Sequence, residues 1–85
     1  MKFYVYIIYS LDFDKYYVGQ TSNFDERILR HNSGYEKFTA PYKPWIKSLI
    51  VVKETRSDAM ELERKLKNLS KERIILFIEK YKEEP

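Results

Sequence analysis

The sequence contains no cysteine. This absence excludes a disulfide framework and a thiolate metal site, and it is typical of a reducing cytoplasm, which is the predicted location. Long hydrophobic runs are also missing, because the apolar start of the chain turns polar at Ser10 and no segment reaches transmembrane length. Without repeats, linkers or low-complexity segments, the chain is expected to form one domain over residues 1–85.

The residues that are present favour a small globular fold with a basic surface. Hydrophobic residues make up 44% of the 85-residue chain and aromatic residues 16%, which argues against disorder. The eight tyrosines exceed the need of so small a core, and each buried hydroxyl requires a hydrogen-bond partner. A net charge of +3 favours polyanionic partners, but only weakly.

Three strands are predicted from runs of β-branched and aromatic residues. Residues 3–10 and 16–20 are expected to pair as a hairpin, because Asp12 and Asp14 interrupt the apolar run between them. Residues 46–53 form the third strand, and they are apolar enough to predict a central place in the sheet.

Three helices are predicted at residues 24–33, 58–69 and 71–81, with Gly34 ending the first. Their candidate caps are Thr21, Ser22 or Asn23, then Thr55 or Ser57, then Ser70. The resulting order ββαβαα predicts an α+β fold, in which helices flank a small three-stranded antiparallel or mixed sheet in two or three layers.

Two polar residues share the apolar stripe of the first helix. Phe24 and Ile28 are expected to face the sheet, and Arg27 and His31 fall on the same stripe at helical spacing. We therefore expect the guanidinium and the imidazole to lie on that face or at its rim.

Glu63 borders the apolar stripe of the second helix, where a carboxylate is costly unless a cation meets it. The stripe itself consists of Ala59, Leu62, Leu66 and Leu69. Glu63 either pairs with Arg27, leans out to solvent, or has a functional partner.

The strand residues Tyr6 and Tyr17 face the same side of the sheet if the hairpin loop has an even number of residues. Gly19 shares the side of Tyr17 and offers no side chain to pack. Its presence suggests the close approach of backbone, a metal ion or a phosphate, although a bulge or a strand end is the commoner reason for such a glycine.

Two phenols, a guanidinium, an imidazole and a carboxylate on one face would suit phosphodiester hydrolysis. A carboxylate can hold a magnesium ion that keeps most of its waters. That ion and a guanidinium would neutralise charge developing on the phosphate, while another group removes a proton from the attacking water. Tyrosine needs help in that last role, because its reference pKa is about 10.

The ordered set of these residues resembles the GIY-YIG nuclease family. Tyr4-Val5-Tyr6 and Tyr17-Val18-Gly19 are similar to the two motifs that name the family, and Arg27, His31 and Glu63 follow in the expected order. The resemblance covers nearly the whole domain and is closest to the short stand-alone bacterial members. It implies a DNA endonuclease that uses one Mg²⁺ or Mn²⁺ ion, selects branched, nicked or single-stranded DNA by structure, and serves repair or recombination.

The resemblance also implies a role for each residue. Glu63 would be the sole protein ligand of the metal ion, and Arg27 would contact the scissile phosphate. Tyr6 would act as the general base or orient the attacking water, with His31 hydrogen-bonded to Tyr6 or to the phosphate. Tyr17 would support the nucleophile or a metal-bound water by hydrogen bonding.

Some positions depart from the family pattern. Gly19 is present and would let the backbone pass close to the site, but the glycine of the first motif is replaced by Tyr4. Gln20 stands where some relatives have a lysine that assists the base. A late asparagine of some relatives has no counterpart here, since Ile74 and Ile75 occupy that region. These departures bear on activity rather than on the fold.

Basic residues are interleaved with aromatic residues around the loop that precedes the third strand. The candidate DNA-binding residues are Arg30, Lys37, Lys43, Lys47 and Lys67. The neighbouring aromatic residues are Tyr35, Phe38, Tyr42 and Trp45. Such a set either tracks a nucleic-acid backbone and stacks on exposed bases, or it caps the core and keeps the surface soluble.

Three functional hypotheses follow from the sequence. The first is the metal-dependent DNA endonuclease, for which specificity would come from DNA shape or a partner protein because no recognition helix is evident. The second is a non-catalytic nucleic-acid-binding module that retains the GIY-YIG fold. The third is a structural or protein-interaction domain, which predicts that the five candidate catalytic residues do not converge in space.

Overall fold

A computed structural model of the protein describes residues 1–83 and has the predicted element order. The strands are β1 (Phe3–Ser10), β2 (Lys15–Thr21) and β3 (Ile46–Lys53). The helices are α1 (Phe24–Asn32), α2 (Arg56–Lys67) and α3 (Lys71–Glu83), with a 3₁₀ turn at Ala40–Tyr42. These elements confirm the α+β fold of order ββαβαα. The predicted single domain extends to Glu84 and Pro85, which lie outside the described residues.

The hairpin loop between β1 and β2 has an even number of residues. Ser10 pairs with Lys15, so the loop runs from Leu11 to Asp14, and Asp14 adopts a left-handed conformation with φ of 52°. This register places Tyr17 directly opposite Ile8, two residues along β1 from Tyr6. Because residues two apart share a face, Tyr6 and Tyr17 lie on the same side of the sheet, as predicted for an even loop.

The sheet is entirely antiparallel, in the order β2-β1-β3. The prediction that the third strand is central was therefore wrong. β1 occupies the centre because both of its faces are apolar, and its residues Val5 to Ile8 are all buried. β3 is an edge strand, in which Ile46 and Val52 remain exposed.

Helices cover both faces of the sheet, so the fold has three layers. On one face, α1 packs through Phe24 and Ile28 against Tyr6, Ile8 and Trp45. The other face forms the larger core with α2 and α3, from Val5, Ile7, Val18, Leu49, Val51, Ala59, Leu66, Ile74 and Ile78. Each helix buries one apolar stripe against alternate residues of the strands.

The helix boundaries follow from local capping. The Asn23 side chain caps α1 and that of Thr55 caps α2, each accepting a backbone N–H bond three residues on at 3.1 Å. Ser70 accepts the backbone N–H of Arg73 at the start of α3. Beyond α1, Gly34 has φ of 80°, the left-handed conformation typical of the residue after a helix. The observed helices differ from the predicted ones by one or two residues at some ends.

The loop between α1 and β3 is fixed to the core through Trp45. The Asn32 side chain donates to the Trp45 carbonyl at 3.0 Å and accepts the Trp45 backbone N–H. The Trp45 indole N–H donates in turn to the carbonyl of Thr39 at 2.9 Å, which holds Thr39 in the interior. In residues 1–83, no helix is long and apolar enough to cross a membrane. The cytoplasmic location stays a prediction.

Candidate active site

Tyr6 is buried at the centre of the α1 side of the sheet, with only 1% of its surface exposed. Its ring lies across Gly19, the residue that pairs with it on β2. A Cβ atom on Gly19 would lie 2.5 Å from Cζ of Tyr6, which is too close for any other residue. The Tyr6 phenol is thus the group that approaches Gly19 in this structure, and the strand pairing there is regular rather than bulged.

A directed chain of hydrogen bonds begins at the Tyr6 hydroxyl. Tyr6 Oη lies 2.8 Å from Nε2 of His31, and Nδ1 of His31 lies 2.7 Å from Oγ1 of Thr39. Thr39 donates its hydroxyl proton to the carbonyl of Glu36 at 3.3 Å. Thr39 must therefore accept from Nδ1–H, which leaves Nε2 as the acceptor for the Tyr6 proton.

Burial holds both members of the Tyr6–His31 pair in their neutral forms. It raises the pKa of Tyr6 from 10.0 to about 12, although the nearby Arg27 guanidinium acts in the opposite direction. Burial also lowers the pKa of His31 below 6.5; Glu36 opposes this shift, and Arg27 and Arg30 add to it. At neutral pH, His31 is therefore an unprotonated acceptor and Tyr6 a protonated donor.

Tyr17 lies beside the same imidazole but is only half-buried. Its ring meets the His31 ring edge-on, with 5.3 Å between the centroids, and packs near Trp45 on another side. The Nζ atom of Lys67 lies 5.7 Å from the centroid of the Tyr17 ring. Tyr17 thus connects the buried Tyr6–His31 pair to a charged surface formed by α2.

Glu63 reaches this region from the opposite face of the sheet, around edge strand β2. Its Oε1 atom accepts a hydrogen bond from Gln20 Nε2 at 2.9 Å, and its Oε2 atom pairs with Lys67 Nζ at 3.0 Å. Both simple explanations of Glu63 from the sequence were therefore wrong, because it neither pairs with Arg27 nor leans freely into solvent. The Glu63 side chain is 19% exposed.

Arg27 stands at the rim of the α1 face, as its position on the helical stripe predicted. Its Nη1 atom donates to the backbone carbonyl of Gln20 at 3.5 Å, while the side chain of Gln20 holds Glu63. Gln20 thus joins a guanidinium from one layer to a carboxylate from another. In the sequence, the one indication that Gln20 belongs to the site is its position directly after Gly19, where some relatives have a lysine.

The five candidate catalytic residues are linked by contacts into one region. Tyr6, His31 and Tyr17 adjoin one another on the α1 side, and Lys67 and Gln20 connect them to Glu63 and Arg27. This continuity contradicts the expectation of a purely structural domain, in which the residues would lie apart. In residues 1–83, no direct hydrogen bond or ion pair joins Glu63 to Arg27.

The donor set at Glu63 suits a hard divalent cation that keeps most of its waters. No group of three or more His, Asp or Glu side chains converges within the described residues, so Glu63 would be the single protein ligand. The Lys67 ammonium already places a positive charge between the Glu63 carboxylate and the Tyr17 ring. Both Glu63 oxygens have partners in the structure, so a cation would reach this carboxylate only if Lys67 or Gln20 moved aside.

The basic residues predicted to track DNA do not form one continuous surface. Arg30 pairs with Glu36 at 3.0 Å. Lys47 lies on edge strand β3, whereas Lys67 adjoins the opposite edge strand β2. The remaining two residues, Lys37 and Lys43, lie in the exposed loop between α1 and β3.

Thr39 was also missed in the sequence, because an isolated threonine in a loop carries no periodic or motif signal. Only the folded chain shows that it is buried and bonded to His31.

Comparisons with known proteins agree with this arrangement. Residues 2–82 match the family described as GIY-YIG catalytic domain. A UPF0213 protein of Staphylococcus haemolyticus is 33% identical over 79 residues, which cover 92% of this chain and 95% of that protein. The solution NMR structure of a UPF0213 protein from Bacillus halodurans is 30% identical, with a TM-score of 0.61, and the match covers 93% of this chain and 84% of that one. The chain therefore belongs to the GIY-YIG domain family, which includes nucleases.

Proposed function

We propose that this protein is a metal-dependent endonuclease that hydrolyses DNA phosphodiester bonds. The observation that carries the proposal is the buried hydrogen bond from the Tyr6 hydroxyl to the unprotonated Nε2 of His31. A phenol with a pKa of about 12 is a poor base when it stands alone. The Nε2 atom of His31 can accept the hydroxyl proton of Tyr6 when Tyr6 takes up a proton from water.

In this proposal, protons move along the chain as the new bond forms. Water attacks the phosphorus atom and loses a proton to the oxygen of Tyr6, while the hydroxyl proton of Tyr6 passes to Nε2 of His31. His31 becomes an imidazolium that still donates from Nδ1 to Thr39. The phosphorus–oxygen bond to the leaving nucleotide breaks, and the alkoxide that departs is protonated by solvent. Tyr6 is unchanged at the end of the step, and His31 releases its extra proton to solvent before the next turnover, which balances the proton taken up by the alkoxide.

Arg27 and Glu63 supply the electrostatic part of the proposed reaction. The Arg27 guanidinium stands at the rim of the α1 face, where it would contact an oxygen of the scissile phosphate. Glu63 would hold one Mg²⁺ or Mn²⁺ ion, which would neutralise charge on the phosphate when bound. Lys67 must leave the carboxylate for this to happen, and substrate phosphate is an alternative partner for its ammonium.

Cleavage of DNA by Glu63→Gln protein tests the proposal, with Glu61→Gln as the matched control. Glu61 is exposed on the same helix, so its substitution removes the same charge away from the site. We expect Glu63→Gln to reduce the Mg²⁺-dependent cleavage rate by at least about 100-fold, and Glu61→Gln to leave it nearly unchanged. Equal rates for the two variants would contradict the proposal.

A non-catalytic nucleic-acid-binding module is the second candidate. It is favoured by the occupancy of both Glu63 oxygens, one by Gln20 and the other by Lys67. Salt-sensitive DNA binding without cleavage in either Mg²⁺ or Mn²⁺ would establish this alternative. In both cases the proposed selection is by DNA structure or by a partner protein, and the proposed role is in DNA repair or recombination.

A further inference from the structure

A groove runs along the outer edge of β2, next to the candidate active site. Its floor consists of residues 15–18, and its volume is about 620 Å³. One wall is formed by the junction of α2 and α3, and the other by the loop before β3, including Phe38, Tyr42 and Trp45. Tyr17 and Lys67 belong to both the groove and the candidate site, so a ligand in the groove would extend directly to the site.

The charge of the groove favours an anionic ligand. Three lysines, Lys15, Lys67 and Lys71, line it, and Asp14 is its one acidic residue; when Glu63, which pairs with Lys67 beside the groove, is also counted, one positive charge is in excess. Asp14 pairs with Lys71, so the carboxylate is already neutralised. None of these lysines except Lys67 was among the predicted DNA-binding residues. Lys15 and Lys71 line the same groove because Asp14 of the hairpin loop pairs with Lys71 at the start of α3.

The aromatic residues of the groove favour a planar, unpaired ligand. Lys15 Nζ lies 4.8 Å from the centroid of the Tyr42 ring, and Lys67 Nζ has a similar position over Tyr17. Phe38 lines the groove and is 80% exposed. Ammonium groups beside phenyl faces match the alternation of phosphates and bases in a single strand. In a duplex the bases are stacked inside, so they offer no free face to the rings of Phe38 and Tyr42.

We propose that this groove binds a single-stranded segment of nucleic acid that leads into the candidate active site. The inference rests on the proposed function for the identity of the adjoining site, and it narrows the substrate class to nucleic acid with unpaired nucleotides beside the cleaved bond. An extended acidic peptide that pairs with the free edge of β2 is the competing occupant. The aromatic lining favours nucleic acid, because base stacking uses ring faces that backbone pairing leaves idle.

Binding without cleavage tests the proposal. Fluorescence anisotropy in EDTA would compare oligothymidylate and oligouridylate of about 12 nucleotides with a duplex of equal length. The DNA and RNA arms distinguish the two sources of a single strand. We expect at least one single strand to bind the wild-type protein more tightly than the duplex does at the same salt concentration.

Two double variants locate the binding site. Lys15→Gln with Lys71→Gln removes two charges from the groove, and Lys53→Gln with Lys65→Gln removes two from a separate small cavity near β3 and α2. Loss of two phosphate contacts should reduce the slope of log K against log salt by about 1.4 and weaken binding roughly 10- to 60-fold at about 50 mM salt. The control pair should change both quantities much less.

Amide chemical shifts provide a second measurement on the intact 85-residue chain. Oligonucleotide addition should shift the amides of residues 15–18 and 67–71 more than those of 47–50 on the opposite edge strand. Four outcomes would each overturn the inference. They are an equal loss of affinity in the two double variants, unshifted groove amides, tighter binding of the duplex than of either single strand, and binding of a polyglutamate peptide in the groove with the affinity of the oligonucleotide. If cleavage depends on Glu63 but is unchanged in the groove variants, the inference is refuted and the proposed function is not. If the groove binds single strands but no cleavage occurs, the proposed function is refuted and binding in the groove is not.

Discussion

At the scale of single residues, the site depends on Gly19, which leaves space for the Tyr6 ring, and on Thr39, which orients the His31 imidazole. Gly19 matters because the Tyr6 ring occupies the space that its side chain would need. Thr39 matters because its hydroxyl accepts from Nδ1 of His31 and thereby leaves Nε2 free to accept from Tyr6. Neither residue touches substrate in the proposed reaction, so both are positioning residues.

Thr39→Val should change the tautomer of the neutral His31 imidazole from Nδ1–H to Nε2–H. Valine has nearly the same shape as threonine but cannot accept the Nδ1 proton, so the imidazole should favour Nε2–H and donate to Tyr6 instead. We expect the cleavage rate to fall about 10- to 100-fold, as for other partners that orient a catalytic histidine. The imidazole ¹⁵N chemical shifts of His31 would report the tautomer independently of activity.

Thr39→Ser is the matched control, because it retains the hydroxyl group. It should keep the Nδ1–H tautomer and most of the activity. If the valine variant also retains Nδ1–H, the assigned direction of the hydrogen-bond chain is wrong.

At the scale of secondary structure elements, α2 contributes a carboxylate and its own competing cation. Glu63 and Lys67 are four residues apart, the spacing at which side chains on a helix meet. The ammonium blocks one carboxylate oxygen while it also lies over Tyr17. The same helical geometry therefore places the proposed metal ligand at the site and pairs it with a lysine of its own helix.

Under the proposed function, Lys67→Gln should strengthen metal binding at Glu63. Removal of a competing surface ion pair worth up to about 1 kcal/mol predicts roughly five-fold tighter binding of Mn²⁺. Paramagnetic broadening of amide signals around Glu63 would measure this without substrate. Lys65→Gln, on the same helix and with the same charge change, should have a smaller effect. An unchanged Mn²⁺ affinity in Lys67→Gln would show that the ion pair does not compete with the metal.

At the scale of the whole molecule, the site exists because three layers meet at one edge of the sheet. The α1 layer supplies Arg27 and His31, the strands supply the two tyrosines, and the α2 layer supplies Glu63. β2 is an edge strand, so side chains from both faces can meet around it. Of the five candidate residues, only Tyr6 lies on the central strand β1, which is covered on both faces.

The stability of the molecule should depend on pH through His31. Above pH 6.5 the imidazole is neutral in the folded and unfolded states, so it adds no pH dependence. Below pH 6.5 the imidazole becomes protonated in the unfolded chain but stays neutral in the folded chain, because burial lowers the pKa of His31 in the folded state. The free energy of unfolding should therefore fall as pH decreases through 6.5 toward the folded pKa.

Urea denaturation between about pH 7 and about pH 5 would measure this loss, with His31→Gln as the comparison. The variant cannot titrate there and should show a flatter dependence. Arg27, Arg30 and Glu36 carry charge near the imidazole, and they are the same in both proteins. Parallel curves would contradict the expected role of His31 in acid sensitivity.

Local features of the chain were predictable because neighbouring residues produce them. The hairpin, a cap for α1 and α2 within two or three candidate residues, and the end of α1 at Gly34 all follow from short-range geometry, whereas the parity of the hairpin loop and the choice of cap were left open. The ordered motif residues likewise predicted the family, which the matches to known proteins confirm. The roles of those residues and the metal ion stay predictions.

Contacts between distant residues were decided only by the folded chain. The apolar run of β3 predicted a central strand, but β1 took that place because its residues bury both faces at once. Glu63 accepts a hydrogen bond from Gln20, 43 positions away in sequence, and the Lys15 ammonium lies over the ring of Tyr42. A helical or strand period specifies which face a residue shares, but not which other element will cover that face. Packing makes that choice, and with it the partners of Glu63, the orientation of His31 and the groove along β2.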